Sequence, residues 1–288
     1  MRDHRVSLTQ IQRLLGEPAA KGDGFLLYQG DCLALMRELP GLLFPLTVTS
    51  PPYNIGKEYE SPLPMPQYLQ WCESWIAEVY RLTCSTGAFW LNLGYIRLDE
   101  RAKAIPIPYL LWDRVPFHLV QEIVWHYGAG VAAKRSFSPR NEKFLWYVKD
   151  PDRYVFNLDQ VRDPNVKYPN QKKNGKLKCN TLGKNPSDVW QFPKVTSGEN
   201  RSAKERTPHP AQFPLAVIER IIWACSHPGD LLLDPFVGSG SLIEAALRTG
   251  RCCVGFEINP KYLQVASQRL DRYIRRTQAQ SAQGTLFA

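Results

Sequence analysis

The absences in this chain narrow its class first. No apolar run reaches the roughly 18 residues that a membrane span needs. The opening Met1-Arg2-Asp3-His4-Arg5 has no apolar core of the kind found in a secretory signal. The seven cysteines (32, 72, 84, 179, 225, 252 and 253) are odd in number, and no two share the C-x-x-C spacing common in zinc sites. Several sit inside apolar runs, so we read them as reduced, mostly buried thiols of a cytoplasmic protein, with no metal site expected. Internal repeats are missing, and only the Gln/Ala-rich tail from Gln278 is compositionally biased.

The 288 residues, 44% hydrophobic and 22% charged, are enough for one large domain with a sizeable insertion. Net charge is +9, and its location matters more than its size. Residues 130–206 hold 17 Lys and Arg against 8 Asp and Glu, leaving 19 of each sign elsewhere. All the surplus therefore lies in one segment, which favours a polyanionic partner and marks a basic recognition insertion at about 130–206.

Strands and helices alternate along the rest. Strands are expected at 25–29, 42–49, 88–93, 119–126, 144–148, 231–234 and 252–257. Helices are expected at 8–15, 31–39, 66–82, 213–225, 242–248 and 260–275, with 102–112 helical only in part because of Pro106 and Pro108. Between Asp150 and about Pro208 periodicity collapses, and so long a loop inside a compact domain is expected to be either functional or partly disordered. The alternation implies an α/β fold, a mostly parallel sheet covered by helices on both faces.

Two strand ends carry chemistry. Ser50-Pro51-Pro52-Tyr53 leaves the second strand as a stiff turn, because proline fixes φ and cannot donate to a ladder. A hydroxyl, outward carbonyls and one aromatic face suit a flat group bearing an amine. Asp234-Pro235-Phe236-Val237-Gly238-Ser239-Gly240 lies between a strand and a helix, where open α/β sheets bind ligands. Glu257 ends the next strand, within the roughly 20-residue interval at which an acid meets ribose hydroxyls. With only two glycines and an acid at its start, the turn suits a ligand with a cationic end better than a pyrophosphate. S-adenosylmethionine has such an ammonium, along with a sulfonium and a ribose.

In this order the motifs resemble the β group of DNA amino-methyltransferases, in which the catalytic loop precedes the target-recognition region and the cofactor loop follows it. Gln29-Gly30-Asp31-Cys32 is similar to the family's adenine-contacting segment. His209-Pro210-Ala211-Gln212-Phe213-Pro214 is similar to the segment near the methionine end, and Phe256 to Tyr262 to the acidic ribose segment. The resemblance covers most of residues 25–270 and implies a seven-stranded, Rossmann-like methyltransferase sheet. It makes Ser50, Pro51, Pro52 and Tyr53 catalytic. It assigns Asp31, His209, Phe213, Asp234, Pro235, Phe236, Gly238, Ser239, Gly240 and Glu257 to S-adenosylmethionine.

Serine at the first motif position looks like the N4-cytosine type, whereas adenine-N6 enzymes more often have Asp or Asn there. Accepting the amine hydrogens at Ser50 and the Pro51 carbonyl would free a delocalised lone pair for in-line attack. The base must be flipped from double-stranded DNA, with Tyr53 as its stacking surface and Phe236 against the cofactor. Cytosine-C5 methylation needs a cysteine nucleophile, typically after proline, and no Pro-Cys dipeptide occurs. A non-catalytic DNA-binding module remains as another class, as do plain capping roles for Asp31 and Glu257. The resemblance also allows a cognate restriction endonuclease and a homodimer. Gln283-Gly284-Thr285-Leu286-Phe287 resembles peptides that dock on the bacterial sliding clamp.

Overall fold

Continuous apolar runs ending in polar turns form the centre of the fold. The computed structural model describes residues 7–58, 60–98, 101–128, 130, 132–195 and 203–285. Its first half runs α1 (Leu8–Leu15), β1 (Ala20–Gly22), β2 (Phe25–Gln29), α2 (Cys32–Arg37), β3 (Phe44–Thr49), α3 (Met65–Leu82) and β4 (Thr83–Leu93). There follow β5 (Tyr95–Leu98), β6 (Ala102–Pro106), α4 (Pro108–Leu111), β7 (His118–His126), β8 (Asn141–Val148) and α5 (Leu158–Val161). The remainder is β9 (Lys172–Lys173), β10 (Lys176–Leu177), β11 (Val189–Gln191), α6 (Leu215–Cys225), β12 (Leu231–Asp234), α7 (Ser241–Arg248), β13 (Cys252–Glu257) and α8 (Pro260–Thr285).

Nine strands form one sheet in the order β1-β2-β13-β12-β3-β4-β8-β7-β11. The five from β2 to β4 are mutually parallel, while β8 runs antiparallel to both β4 and β7. The seven expected strands are all present; the two extra ones, β1 and β11, are three-residue edges too short to show periodicity. Both faces of the sheet are covered, as parallel strands require. Leu46, Val48, Trp90, Trp146 and Leu232 pack with α6 and α7 on one side. Phe44, Phe89, Leu91, Leu233 and Phe256 pack with Trp75 and Val79 of α3 on the other.

Two local expectations change. The partly helical stretch expected over 102–112 is a strand, β6, hairpinned to β5, with only a four-residue helix after it. Pro106 ends the strand and Pro108 starts the helix, so the interruption is the boundary itself. The last helix extends from the expected 275 to Thr285. The strand expected at 144–148 is β8, which lies within residues 130–206 and takes an inner place between β4 and β7. The basic segment is thus threaded through the sheet rather than hung from it. The tail resembling a clamp-docking peptide lies at the limit of the described residues, with 286–288 outside them.

Candidate active site

Chain connections leave β12 toward β13 on one side and β3 toward β4 on the other, which opens a crevice at the carboxyl ends of these strands. A cavity of about 470 Å3 occupies that crevice, within the range of small-molecule sites. Of the expected site residues, Asp31, Ser50, Pro51, Pro52, Tyr53, His209, Phe213, Asp234, Pro235, Phe236, Gly238, Ser239 and Glu257 all line it. Gly240 does not. It caps α7 with φ 77°, and a Cβ there would lie 3.2 Å from Ala266, so it shapes the turn through its backbone alone.

At one end a directed chain of hydrogen bonds sets the catalytic turn. Asn92, fully buried on β4, donates through Nδ2 to the Lys143 carbonyl at 3.0 Å, which aims its Oδ1 at the turn. The Tyr53 hydroxyl donates to that Oδ1 at 2.6 Å. Having given its proton to Asn92, Tyr53 can take one from Ser50 across 3.0 Å. The Ser50 oxygen then keeps its lone pairs for an incoming N–H. Tyr68 donates to the Pro52 carbonyl at 2.8 Å, fixing the turn from below. Tyr53 lines the cavity and is also clamped at its edge, since a Cβ on Gly94 would fall 2.7 Å from its ring. Trp125 and Phe213 supply further aromatic wall, with ring centroids 6.3 Å apart.

At the other end the acids meet. Asp234 is buried; its Oδ1 accepts from Thr49 Oγ1 at 2.8 Å and from the Phe236 amide at 3.1 Å. Burial pushes its carboxyl up to about 7, against the pull of those two donors and with a push from Glu257. Glu257 accepts one backbone amide on each oxygen, Gly238 at 2.8 Å and Asn259 at 2.8 Å, and burial raises its pKa too. Two of its roughly four acceptor positions are thereby used, leaving room for a diol. Gly238 has φ 52°, and a Cβ there would meet His209 Nε2 at 2.9 Å. His209, its pKa lowered by burial, stands edge-on to Tyr262 at 4.4 Å.

The Asp31 Oδ1 caps α2 through the Ala34 amide at 2.9 Å, and the residue lines the cavity. Phe236 turns its ring onto Trp71 and Trp75 of α3, 5.6 and 5.1 Å between centroids, so packing fixes it. Ser239 bonds Ser241 at 3.0 Å, and Ser241 also receives Arg269. The cavity's small anionic end, diol-ready acid and closely approached glycine turn together fit an amino-acid nucleoside such as S-adenosylmethionine.

Sequence reasoning missed Asn92, Trp125 and Glu142, which line the cavity from β4, β7 and β8. For Asn92 a signal existed: one amide inside the otherwise apolar Ala88 to Leu93. Trp125 and Glu142 look like ordinary strand residues until the register pairs them.

Residues 44–268 match the family model described as DNA methylase. The chain is 62% identical over 264 residues to the type II methyltransferase M.ScaI of Streptomyces caespitosus, covering 92% of this chain and 87% of that one. It is 32% identical over 270 residues to the DNA adenine methyltransferase YhdJ of Escherichia coli K12, covering 85% and 82%. Among solved structures, the cytosine-N4-specific PvuII DNA methyltransferase superposes with a TM-score of 0.69 at 21% identity, covering 88% of each chain. With the motif order, the sheet and the match over residues 44–268 in agreement, this chain belongs to the DNA methylase family.

Proposed function

We propose that this protein transfers a methyl group from S-adenosylmethionine to the exocyclic N4 amine of a cytosine flipped out of double-stranded DNA. The observation that carries the reading is the chain Ser50–Tyr53–Asn92, which leaves the Ser50 oxygen as an acceptor beside the Pro51 carbonyl. Held by two acceptors, the amine nitrogen becomes more tetrahedral and presents its lone pair. Glu257 and Asp234 would hold the ribose and ammonium ends of S-adenosylmethionine, which supplies an electrophilic methyl. The closely approached turn at Gly238 would help seat the cofactor, and the aromatic walls would exclude water from the reacting groups. An intact acceptor chain argues against a binding module without catalysis. The similarity to M.ScaI supports a place in a type II restriction-modification system, where methylation protects the host's own sites.

DNA contact falls to the basic segment. Its sharpest feature is the hairpin β9–β10, closed by Asn174 and Gly175 with φ 50° and 76°, the left-handed pair of a tight two-residue turn. Lys173 faces Lys176 directly across the strands, and the Lys178 amide extends the ladder to Gln171 at 2.8 Å. Opposed like charges weaken a free hairpin, and phosphates remove that penalty. A two-stranded ribbon also fits the major groove.

A second reading, N6-adenine methylation, draws on the similarity to YhdJ. Duplex DNA treated with the protein and methyl-labelled S-adenosylmethionine, then digested to nucleosides, separates the two. Label in the deoxycytidine fraction is expected. Label in deoxyadenosine selects the second reading, and unlabelled DNA rejects both.

A further inference from the structure

Amine methylation leaves a proton to be removed, and the Ser50 turn has no base to take it. When the nitrogen–carbon bond forms and the carbon–sulfur bond breaks with its electron pair going to sulfur, the amine becomes a cation. One N–H bond must then break, its pair returning to nitrogen. Ser50, Tyr53 and Asn92 are neutral groups committed to one another.

Among the described residues, four carboxylates line the cavity: Asp31, Glu142, Asp234 and Glu257. Asp31 caps α2, Asp234 holds Thr49 and the Phe236 amide, and Glu257 holds the Gly238 and Asn259 amides. All three stand at the turns that follow β2, β12 and β13, and His209 packs over the last two. Glu142 stands apart, on β8. Asn92 pairs with Phe144 across β4 and β8, and Glu142 lies two residues along, on the same face as Phe144. Its Cα partner on β7 is Trp125, part of the cavity's aromatic wall.

We propose that Glu142 is the proton acceptor of the reaction: once the new nitrogen–carbon bond has made the amine a cation, one of the two hydrogens first held by Ser50 and the Pro51 carbonyl turns to Glu142 and is taken. The charged and titratable groups facing it are Lys194, 3.5 Å away, and Tyr127, whose ring Lys194 overlies at 3.7 Å. Burial raises the Glu142 pKa, and Lys194 and Tyr127 oppose the rise. The side chain is therefore a stronger base than an exposed carboxylate, with a cation beside it to favour the ionised form.

The inference rests on methylation of an exocyclic amine and not on which base carries it, so label in adenine leaves it standing. Single-turnover methyl transfer, with S-adenosylmethionine saturating at every pH so that Asp234 titration does not shape the profile, should be followed against pH for wild type, Glu142→Gln and Lys194→Met. Duplex binding by each protein without S-adenosylmethionine, and thermal melting, run alongside. Glu142→Gln is expected to slow transfer roughly 100-fold, the scale of general-base catalysis, while DNA binding persists. The acid limb of the wild-type profile, where rate falls as Glu142 is protonated, should vanish in that variant. Lys194→Met should move the limb to higher pH, since losing the cation raises the carboxylate pKa; this second variant decides the matter if Glu142→Gln does not fold. A wild-type rate in Glu142→Gln, or an acid limb unmoved in both variants, overturns the assignment. Loss of DNA binding in proportion to rate would make Glu142 structural and overturn it as well.

Discussion

Binding of S-adenosylmethionine should expel a proton, and Asp234 sets how much. In the free protein its carboxyl titrates at about 7, raised chiefly by burial and secondarily by Glu257. At pH 7 it is therefore about half protonated. An ammonium placed beside it favours the charged form and returns the pKa toward the ordinary carboxylate range. Binding should then release roughly half a proton at pH 7, approaching one near pH 6 and none above pH 9. Below the free-protein pKa, affinity should fall up to about tenfold per pH unit, equivalent to about 1.4 kcal/mol. Titration calorimetry in two buffers of different ionisation enthalpy reads the proton count directly. S-adenosylhomocysteine, which keeps the ammonium, should release the same number. In Asp234→Asn, which preserves an oxygen for Thr49 and Phe236, the count should collapse. Heats independent of buffer at pH 6 and 7 would refute the placement of the ammonium at Asp234. The same titration bears on stability without ligand. A carboxyl raised from 3.8 to about 7 holds a proton that the unfolded chain has released. Stability should therefore fall as pH rises from about 4 to about 7 and level off above. The total is on the order of 4 kcal/mol, and Asp234→Asn should flatten the slope seen in melts.

Asn92→Leu removes the acceptor for Tyr53 and the donor to the Lys143 carbonyl. Loss of these two hydrogen bonds should cost roughly 1–3 kcal/mol in denaturant unfolding, with a loss of transfer rate in whatever protein remains folded. A rate and stability unchanged from wild type would show that the Ser50 oxygen is not oriented through this chain. Lys173→Ala with Lys176→Ala should weaken duplex binding and lower the slope of log affinity against log salt by roughly 0.9 for each phosphate no longer neutralised. S-adenosylmethionine affinity should hold. An unchanged slope would move the DNA surface away from the hairpin.

Much of the fold is legible in the sequence because parallel strands buried on both faces are short apolar runs, and Leu231 to Asp234 or Cys252 to Glu257 can form little else. The cofactor end is legible for a related reason. Asp234, Gly238 and Glu257 lie at strand ends and turns, where backbone conformation leaves a local signature. The base end is less so. Asn92 and Glu142 reach the cavity that Ser50 lines because register brings them there from strands far away in sequence, and register is a property of pairing. Charge counting located the basic segment, and the strand within it is legible separately, from the apolar run Phe144 to Val148, which carries none of that charge; that β8 lies inside the sheet is a matter of pairing.

The most direct test compares the nucleosides of duplex DNA methylated by wild type and by Ser50→Ala, quantified by mass spectrometry. Wild type should yield N4-methylcytosine without N6-methyladenine. Ser50→Ala should bind S-adenosylmethionine normally and yield roughly 100-fold less, as expected when a directed acceptor in a buried site is lost. N6-methyladenine from wild type, or N4-methylcytosine at the wild-type level from Ser50→Ala, would contradict the assignment of the Ser50 turn as the acceptor of a cytosine amine.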